Sequence, residues 1–344
     1  MVLPKSHAVR APTIYDVARE AGVSHQTVSR FLKGERVKAI TRLRVESAIT
    51  DLDYRPNSVA RALATSRSYR IGALVYELQE LGPSQIAQGA ADQAREAGYL
   101  LDIVALDPED DEAIAHAIAL LDEQHLAGIL ALAPTRRLLN ALQTADYRVP
   151  LVIDTEPEYT GTTDTESLNT IGTRLALQHL IDLGHERIFY LSGPHEWISA
   201  ANRLATYRRM LGEHGLTPFE PIEGDWTAAS GYSAALRMPR DKGITAVLVA
   251  NDQMALGALR AFSELQLRVP EDMSVVGFDD IPESEYTIPP LTTVRLEFAE
   301  QGRASVERLV AMIESKPAPS PTGSSTVRLV ARASTGTPRP ASSH

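Results

Sequence analysis

Between residues 70 and 278 the chain alternates short apolar runs with stretches of helical periodicity, and this alternation restricts the possible folds more than any other feature. Each run has the length of a buried strand, and each intervening stretch is long enough for a crossover helix. The pattern occurs before and again after Pro150. It predicts two doubly wound α/β lobes. The predicted strands are 70–75, 100–106, 128–133, 151–153, 187–192, 246–250 and 274–278, and the predicted helices are 84–97, 111–123, 172–183, 200–214 and 253–265.

Polar residues directly follow three of the predicted strands, in segments 191–193, 250–252 and 277–280. Doubly wound sheets bind ligands beyond the carboxyl ends of their strands, so these segments are candidates for one binding site. Asn251 and Asp279 carry groups that bind neighbouring sugar hydroxyls, and Arg203 can donate a forked pair of hydrogen bonds. These residue types favour a carbohydrate ligand.

The segment from Thr13 to Arg30 predicts two short helices joined by a tight turn. Thr13 and Asp16 have the spacing of a capping box, Gly22 marks the turn, and Ser24 is suited to cap the second helix. A third helix, capped by Thr41, is expected to complete a three-helix core. The predicted core residues are Ile14, Val17, Ala18, Ala21, Val28, Phe31, Leu32, Val45, Ala48, Ile49 and Leu52.

The polar face of the second helix predicts contact with DNA. Its members are His25, Gln26, Ser29 and Arg30. This is typical of a helix-turn-helix that reads base edges, and a helical hairpin with a solvated face is the alternative. Residues 1–70 contain 13 Lys and Arg against 6 Asp and Glu, whereas the remainder contains 21 against 38. The whole-chain net charge of −10 therefore conceals a basic head, which favours a nucleic-acid partner.

Residues 57–69 are predicted to form a hinge helix and linker. Pro56 suits a helix start, but about two turns of helix are marginal in water, so the segment needs packing against DNA or a second copy. Leu63 is an apolar residue in a basic linker. Apolar side chains in such a position can insert between base steps in the minor groove of DNA. Packing of Leu63 on the body is the alternative.

Composition excludes several classes of protein. The chain has no cysteine, which excludes disulfides and thiolate metal sites. It has neither a signal-peptide pattern nor an apolar run near the roughly 18 residues of a membrane span. We therefore expect a cytoplasmic protein with no metal, no cofactor and no membrane partner. The acidic run 107–112 suggests a cation site or the charged start of a helix, and the second interpretation is favoured.

Nearly the whole chain resembles the LacI/GalR family of bacterial transcription regulators. The segments that carry the resemblance keep their order along the chain: the helix-turn-helix, Tyr54-Arg55-Pro56-Asn57, Leu63-Ala64, Pro83-Ser84-Gln85-Ile86, Glu223-Gly224-Asp225-Trp226, 249–255 and 288–293. The resemblance implies an N-terminal all-α helix-turn-helix head and an α/β periplasmic-binding-protein-like body of two doubly wound lobes. It also implies double-stranded operator DNA and a small sugar effector as partners.

The resemblance further implies roles for individual residues. His25, Gln26 and Arg30 fall at base-reading positions, Tyr15, Ser24, Thr27 and Asn57 fall near phosphates, and Leu63 is the minor-groove lever, with Ala60 on the same hinge. Arg203, Trp226, Asn251, Asp279 and Phe298 fall at effector-binding positions, with Ser199 and Pro83 at the cleft edge. Core packing is the alternative for Trp226 and Phe298, as is a solvated loop carboxylate for Asp279.

Two segments depart from the family's pattern. Residues 167–171 include apolar residues where relatives often carry an acidic one, and Glu196-Trp197 is bulkier and more charged than its counterpart. Trp197 beside Trp226 predicts a stacking pair for a galactoside, although a glucoside or a longer saccharide such as cellobiose stays open. The family's tetramerising leucine repeat is absent after Ile313, which predicts a homodimer.

The expected domain limits are a disordered arm at 1–12, the head at 13–56, the hinge at 57–69, the body at 70–340 and a disordered tail at 339–344. Within the body, the N-terminal lobe is expected at about 70–164 and 294–324, and the C-terminal lobe at about 165–293 and 325–338. The implied function is repression of a carbohydrate-utilisation operon, relieved by the sugar. An enzyme is not expected, because P-loop, dinucleotide-binding and nucleophile-elbow motifs are absent. A soluble sugar-binding protein without a regulatory role is the alternative.

Overall fold

The computed structural model describes residues 12–32, 35–54, 67–157, 167–317 and 327–339. The chain divides into two compact units, Met1–Tyr69 and Arg70–His344. Some predictions concern residues outside the described ranges. They are the predictions for Asn57, Ala60 and Leu63, for most of the hinge and for nearly all of the two chain ends. No helix within those ranges is both long and apolar enough to cross a membrane.

The first unit contains three helices, α1 (Ile14–Glu20), α2 (His25–Leu32) and α3 (Ala39–Asp51). The capping box of α1 forms, since the Thr13 amide donates to Asp16 Oδ2 at 2.9 Å. Gly22 has a φ of 64°, which glycine adopts readily, and Ser24 Oγ accepts from the Thr27 amide at 3.2 Å. The core of this unit is formed by Val17, Ala18, Ala21, Val28, Val45, Ala48 and Tyr54.

Two local predictions for this unit were wrong. The third helix begins at Ala39 rather than after Thr41, because the amide of Thr41 already donates to the Lys38 carbonyl at 2.9 Å. Leu32 is 37% exposed instead of buried, since it is the last residue of α2.

In the second unit, the N-terminal lobe is a parallel sheet in the order β2-β1-β3-β4. Its strands are β1 (Arg70–Val75), β2 (Leu100–Ala105), β3 (Gly128–Leu132) and β4 (Leu151–Asp154). Its helices are α4 (Leu81–Glu96), α5 (Asp111–Glu123) and α6 (Arg136–Thr144). Helix α4 begins three residues before the predicted start at Ser84. The acidic run begins α5, where Asp110 caps the helix by accepting from the amides of Glu112 and Ala113.

The C-terminal lobe repeats the arrangement, with a parallel sheet in the order β6-β5-β7-β8. Its strands are β5 (Ile188–Ser192), β6 (Ile222–Glu223), β7 (Ala246–Val249) and β8 (Ser274–Val276). Its helices are α7 (Leu168–Asp182), α8 (Ile198–Glu213), α9 (Ala228–Leu236) and α10 (Asp252–Glu264). Short 3-10 helices occur at Arg240–Lys242 and Pro282–Tyr286.

The chain then forms β9 (Thr293–Leu296), α11 (Phe298–Ile313) and β10 (Val327–Val330). Helix α11 packs against α4 and against β3 and β4 of the N-terminal lobe. Strand β10 pairs antiparallel with β9, and α7 of the C-terminal lobe packs against both. In sequence, α11 of the N-terminal lobe therefore lies between β9 and β10, which pack against the C-terminal lobe.

His185 connects the last described segment of the chain to the C-terminal lobe through hydrogen bonds. Its Nε2 lies 2.9 Å from the Gly336 carbonyl and 3.0 Å from Ser274 Oγ, and its Nδ1 lies 2.9 Å from Thr245 Oγ1. The Pro- and Ser-rich composition from Gly336 onward indicates disorder, but these contacts show that residue 336 is held in place. Burial lowers the pKa of His185, against the opposing effect of the Gly336 carbonyl.

This lowered pKa predicts acid sensitivity. The unfolded chain binds a proton near the ordinary pKa of about 6.5, above the folded-state pKa, so the free energy of unfolding should fall as the pH decreases below about 6.5. Urea unfolding at pH 7.5, 6.5 and 5.5 measures this loss. His185→Gln should be less stable at pH 7.5 and lose less on acidification, whereas the same change at exposed His116 should retain the full loss. Equal pH dependence in both variants would exclude His185 as the cause.

Candidate functional site

One cavity of the second unit is lined by residues that follow strands of both sheets. Tyr76 and Glu77 follow β1, Ala133 follows β3, Asn251 follows β7 and Asp279 lies just beyond β8. With its open mouth, the cavity encloses about 820 Å³. Much of this volume is open to solvent, and the cavity lies at the position that doubly wound sheets use for ligands.

The structure brings all eight predicted effector residues to this cavity, although their role in binding stays a prediction. Pro83 in α4 and Phe298 at the start of α11 contribute the N-terminal wall. The opposite wall is formed by Trp197, Ser199, Arg203, Trp226, Asn251 and Asp279. Asn251 Oδ1 caps α10 by accepting from the Met254 amide at 2.9 Å, and its Nδ2 donates to the Trp226 carbonyl at 3.0 Å. Asn251 is therefore held rigidly.

Arg203 lies in α8 with only 5% of its surface exposed. Its Nε donates to Asn169 Oδ1 at 2.6 Å, and its Nη1 donates to the Ala250 carbonyl. Its Nη2 lies 3.8 Å from Asp279 Oδ1, and its guanidinium carbon lies 3.9 Å from the centre of the Phe278 ring. These contacts fix the guanidinium and leave it largely neutralised by protein groups.

Asp279 presents an acceptor to the cavity. Its Oδ1 is buried and accepts no hydrogen bond from the described residues, although Arg203 lies at ion-pair distance. Burial raises the pKa of Asp279 to about 6, while Arg203 opposes the rise. A buried polar atom without a partner is unfavourable, so this oxygen is suited to accept from a ligand hydroxyl. Its φ of 99° shows that the backbone is also held in an uncommon conformation.

Two more buried polar atoms in the cavity wall have no hydrogen-bond partner among the described residues. They are Trp226 Nε1, a donor, and Thr155 Oγ1, which both donates and accepts. With Asp279 Oδ1, the wall therefore offers a donor, an acceptor and a hydroxyl to whatever occupies the cavity. That combination matches the hydroxyl groups of a polyol, each of which donates and accepts.

Trp197 and Trp226 lie side by side in the cavity wall, and their stacking on a galactoside stays a prediction. The two rings meet edge to face, with centroids 5.6 Å apart and planes 73° apart. Tyr76 approaches Trp197 in the same manner, at 5.2 Å and 77°. Trp197 also forms a β-bridge with Thr135, beside the first turn of α6, so it joins the two lobes. Edge-to-face contacts are the favoured arrangement for aromatic side chains packed at a junction.

Sequence reasoning missed the carboxylates of the N-terminal lobe that line the cavity. They are Glu77, Glu80, Asp154 and Glu156. Glu156 accepts from Nδ2 of Asn169 and, at 3.2 Å, from Nδ2 of Asn202. Burial raises the pKa of Glu156, and these amide donors oppose the rise. Glu77 and Glu156 follow the apolar runs of β1 and β4, so the rule that found Asn251 and Asp279 would have found them also.

A second cluster has the connectivity of a catalytic triad. Ser192 Oγ lies 3.0 Å from His195 Nε2, and His195 Nδ1 lies 3.3 Å from Glu223 Oε2. Ser192 is fully buried, however, and none of the three lines the cavity. A nucleophile needs access to its substrate, so this cluster has no catalytic geometry. It attaches the 193–197 loop to β6, because the His195 amide also donates to Glu223.

In the first unit, the predicted DNA-reading face is open to solvent. His25, Gln26 and Arg30 are exposed, Ser29 is partly exposed, and Tyr15 is 63% exposed with its ring 5.1 Å from that of His25. Ser24 is also exposed, and its hydroxyl is 2.9 Å from Thr27 Oγ1. Arg30 Nε donates to Glu35 at 3.0 Å, and its Nη2 donates to the Arg36 carbonyl at 3.2 Å.

Comparison with known proteins identifies both units. Residues 13–57 match the bacterial regulatory proteins of the lacI family, and residues 177–335 match a periplasmic binding protein-like domain. The lactose operon repressor of Escherichia coli (strain K12) is 39% identical over 314 residues, covering 88% of this chain and 85% of the relative. The ribose operon repressor of the same strain is 32% identical over 309 residues, covering 87% and 92%.

Solved structures of lacI-family regulators are similar to this chain over nearly its whole length. The lac repressor dimer bound to operator and the anti-inducer ONPF has a TM-score of 0.77 and 36% identity, covering 95% of this chain and 100% of the other. The complex of the transcriptional regulator CelR with cellobiose has a TM-score of 0.65 and 29% identity, covering 94% and 99%. The predicted fold class, a helix-turn-helix head with a periplasmic-binding-protein-like body, is confirmed. The chain belongs to the lacI family of bacterial regulatory proteins.

Proposed function

We propose that this chain represses a carbohydrate-utilisation operon and is released from its operator by a small sugar bound in the cavity. The observation that carries the proposal is that three polar atoms of the cavity wall have no hydrogen-bond partner among the described residues. These atoms are Thr155 Oγ1, Trp226 Nε1 and Asp279 Oδ1, and a ligand rich in hydroxyls would supply their partners. The exposed polar face of α2 supplies the DNA-reading surface.

The two activities are coupled through the position of the cavity between the lobes. A sugar that binds both walls favours one arrangement of the lobes over another. The change in operator affinity can be no larger than the difference between the sugar's affinities for these two arrangements. A coupling of about 1–3 kcal/mol corresponds to a weakening of operator binding by roughly 5- to 150-fold. The hinge at residues 57–69 is the proposed connection, with Leu63 as the minor-groove lever.

The protein is proposed to act as a cytoplasmic homodimer without enzymatic activity. The relatives are repressors, and a lac repressor structure is a dimer bound to operator. Apolar residues exposed on the surface support association, since Leu100 and Ile103 lie on edge strand β2 and Ile288 is 96% exposed. A galactoside is the favoured effector, because the lactose operon repressor of Escherichia coli is 39% identical to this chain. Cellobiose is the second candidate, because the chain is similar to the complex of CelR with cellobiose.

Selection of bound duplexes from a random pool, followed by fluorescence anisotropy with and without lactose, galactose or cellobiose, tests the proposal. We expect specific binding that weakens steeply with salt, since Lys and Arg contacts to phosphates release counterions. One of these sugars should reduce the affinity at least fivefold. Sequence-independent binding that no sugar changes would contradict the proposal.

Removing one base-reading side chain should weaken binding to the selected duplex. Gln26→Ala is expected to lose about 1–3 kcal/mol of discrimination, or roughly 5- to 150-fold in affinity, because a bidentate base contact disappears. Exposed Glu46 on α3 provides the control, since Glu46→Ala should leave base preference unchanged. Leu63→Ala should lower operator affinity without changing sugar binding. An unchanged base preference in Gln26→Ala would remove this residue from the reading face.

A further inference from the structure

Glu77 and Glu80 form an acidic mouth to the cavity. Glu77 follows β1, Glu80 immediately precedes α4, and both line the cavity. No described residue gives either carboxylate a hydrogen bond or an ion pair. Because Glu77 is exposed and Glu80 is partly exposed, each places its carboxylate at the opening of the cavity.

Acidic residues of both lobes add to the negative charge at the mouth of the cavity. Burial raises the pKa of Glu77 to about 7, and the carboxylates of Glu80, Asp107, Glu109 and Asp225 add to the rise. Asp107 and Glu109 follow β2 in the N-terminal lobe, whereas Asp225 follows β6 in the C-terminal lobe. Burial and, after it, Asp279 raise the pKa of Glu80. A negative group that enters the mouth consequently meets carboxylates on each side.

Among the described residues, the cavity offers no free cation to compensate them. Arg203 is the basic residue among the described side chains that line the wall, and Asn169, the Ala250 carbonyl and Asp279 already occupy its guanidinium. Asp154 and Glu156 of the N-terminal lobe add two more acidic side chains to the cavity lining. An anionic ligand would thus lose its hydration without gaining an ion pair.

An independent observation supports a ligand in this acidic cavity. Trp226 Nε1 has no hydrogen-bond partner among the described residues, and the residue is only 7% exposed while it lines the cavity. A buried donor in this state requires an acceptor from a ligand or from water. A neutral hydroxyl supplies that acceptor without bringing a charge past the mouth.

We propose that Glu77 and Glu80 select the effector by charge, admitting neutral and amino sugars and excluding sugars that carry a carboxylate or a phosphate. The inference rests on the proposed function and narrows its ligand class. Two unit charges a few ångströms apart near a protein surface interact strongly enough to change binding tenfold or more. Discrimination by repulsion of the wrong ligand is an established way to gain specificity.

Calorimetric titration of the full-length protein with matched pairs of sugars tests the inference. The pairs are methyl galactoside with methyl galacturonide, methyl glucoside with methyl glucuronide, lactitol with lactobionate, and cellobiitol with cellobionate. At pH 7.5 the carboxylate member of a binding pair should bind at least tenfold more weakly than the neutral member. Galactosamine or glucosamine should bind at least as tightly as the parent sugar. Equal affinity within the pairs would overturn the inference.

The double variant Glu77→Gln/Glu80→Gln should reduce this ratio to about threefold or less. The matched control is Glu271→Gln/Glu283→Gln, at two exposed acids of the C-terminal lobe that do not line the cavity. The control should keep the full ratio. An unchanged ratio in the Glu77/Glu80 variant would show that other groups exclude the anion.

The exclusion should also be weaker at pH 6 than at pH 8, because Glu77 becomes protonated across that range while the sugar carboxylates, with pKa values near 4, stay ionised. A ratio that does not change with pH would remove Glu77 from the mechanism. If no sugar of any charge binds and none affects DNA binding, the proposed function itself fails. That result differs from tight binding of an anionic sugar, which contradicts only the charge selection.

Discussion

Asp279→Asn is expected to abolish most of the sugar response and to leave operator binding intact. The Asp279 Oδ1 atom is a buried acceptor that receives no hydrogen bond from the described residues, and a bond from a sugar hydroxyl to a carboxylate contributes about 1.5–3 kcal/mol. Losing the charge should therefore weaken sugar affinity roughly 10- to 150-fold. Asparagine is nearly isosteric and tolerates the positive φ of 99° at this position, so the backbone should be preserved.

The pH dependence of sugar binding gives this prediction a second measurement. Because burial raises the pKa of Asp279 to about 6, the carboxylate becomes protonated as the pH falls from 7 to 5 and ceases to be a charged acceptor. Sugar affinity of the unmodified protein should decrease over that range, whereas affinity of the variant should change less. Calorimetry measures the affinities, and anisotropy with operator DNA measures the response. A variant that still releases DNA at the same sugar concentration would remove Asp279 from the site.

Exposed Glu271 supplies a matched control in the same lobe. Glu271→Gln removes one negative charge, as Asp279→Asn does, but from a side chain that does not line the cavity. Its sugar affinity and its sugar response should equal those of the unmodified protein. A comparable loss in both variants would indicate an effect of net charge rather than of the lost acceptor.

The two-lobe architecture was predictable because buried parallel strands are apolar and nearly continuous in sequence. The runs of β1, β3, β5 and β7 match the predicted strands to within one residue. Helices α6 and α9 were not predicted, since both span only nine residues and give little periodic signal. Strands β9 and β10 are short, and they form by pairing with each other across 30 residues, which local sequence does not reveal.

The site was partly predictable for a similar reason. Residues immediately after strands, such as Asn251 and Asp279, could be placed because topology alone brings the carboxyl ends of strands together. The angle between the Trp197 and Trp226 rings could not, since it depends on packing against Tyr76. Nor could the lack of an ion-pair partner for Glu77 and Glu80 among the described residues, because pairing depends on where every neighbouring cation lies in three dimensions.

Gly302→Ala is expected to cause a large loss of stability. A Cβ atom at Gly302 would lie 2.0 Å from the Ile86 carbonyl oxygen and 2.8 Å from the Ala90 amide nitrogen, both in the backbone of α4. Gly89 makes the reciprocal approach, since its Cβ would lie 2.0 Å from the Ala299 carbonyl oxygen of α11. The helices must separate to admit a methyl group, which should cost about 2–3 kcal/mol. Scanning fluorimetry should show a decrease in the thermal midpoint of about 4–12 °C.

The same substitution at Gly212 separates this clash from the ordinary effect of alanine in a helix. Gly212 lies in α8, and its Cβ would have no neighbour within 4 Å. Gly212→Ala should therefore stabilise the protein by about 0.5–1 kcal/mol, because alanine favours the helix and nothing obstructs it. The two variants thus share one chemical change and have effects of opposite sign. If Gly302→Ala were as stable as Gly212→Ala, the close crossing of α4 and α11 would be refuted.

This crossing also sets the distance between two parts of the cavity wall. Helix α4 begins next to Glu80 and carries Pro83 in its first turn, and α11 begins at Phe298, so both helices start at the cavity. A Cβ at Gly82 would lie 3.2 Å from the Phe298 ring, which shows how closely the two helix starts pack. Separating the helices therefore moves the N-terminal wall as well as destabilising the lobe. Gly302→Ala should consequently weaken sugar binding even at temperatures where the protein remains folded, and Gly212→Ala should not.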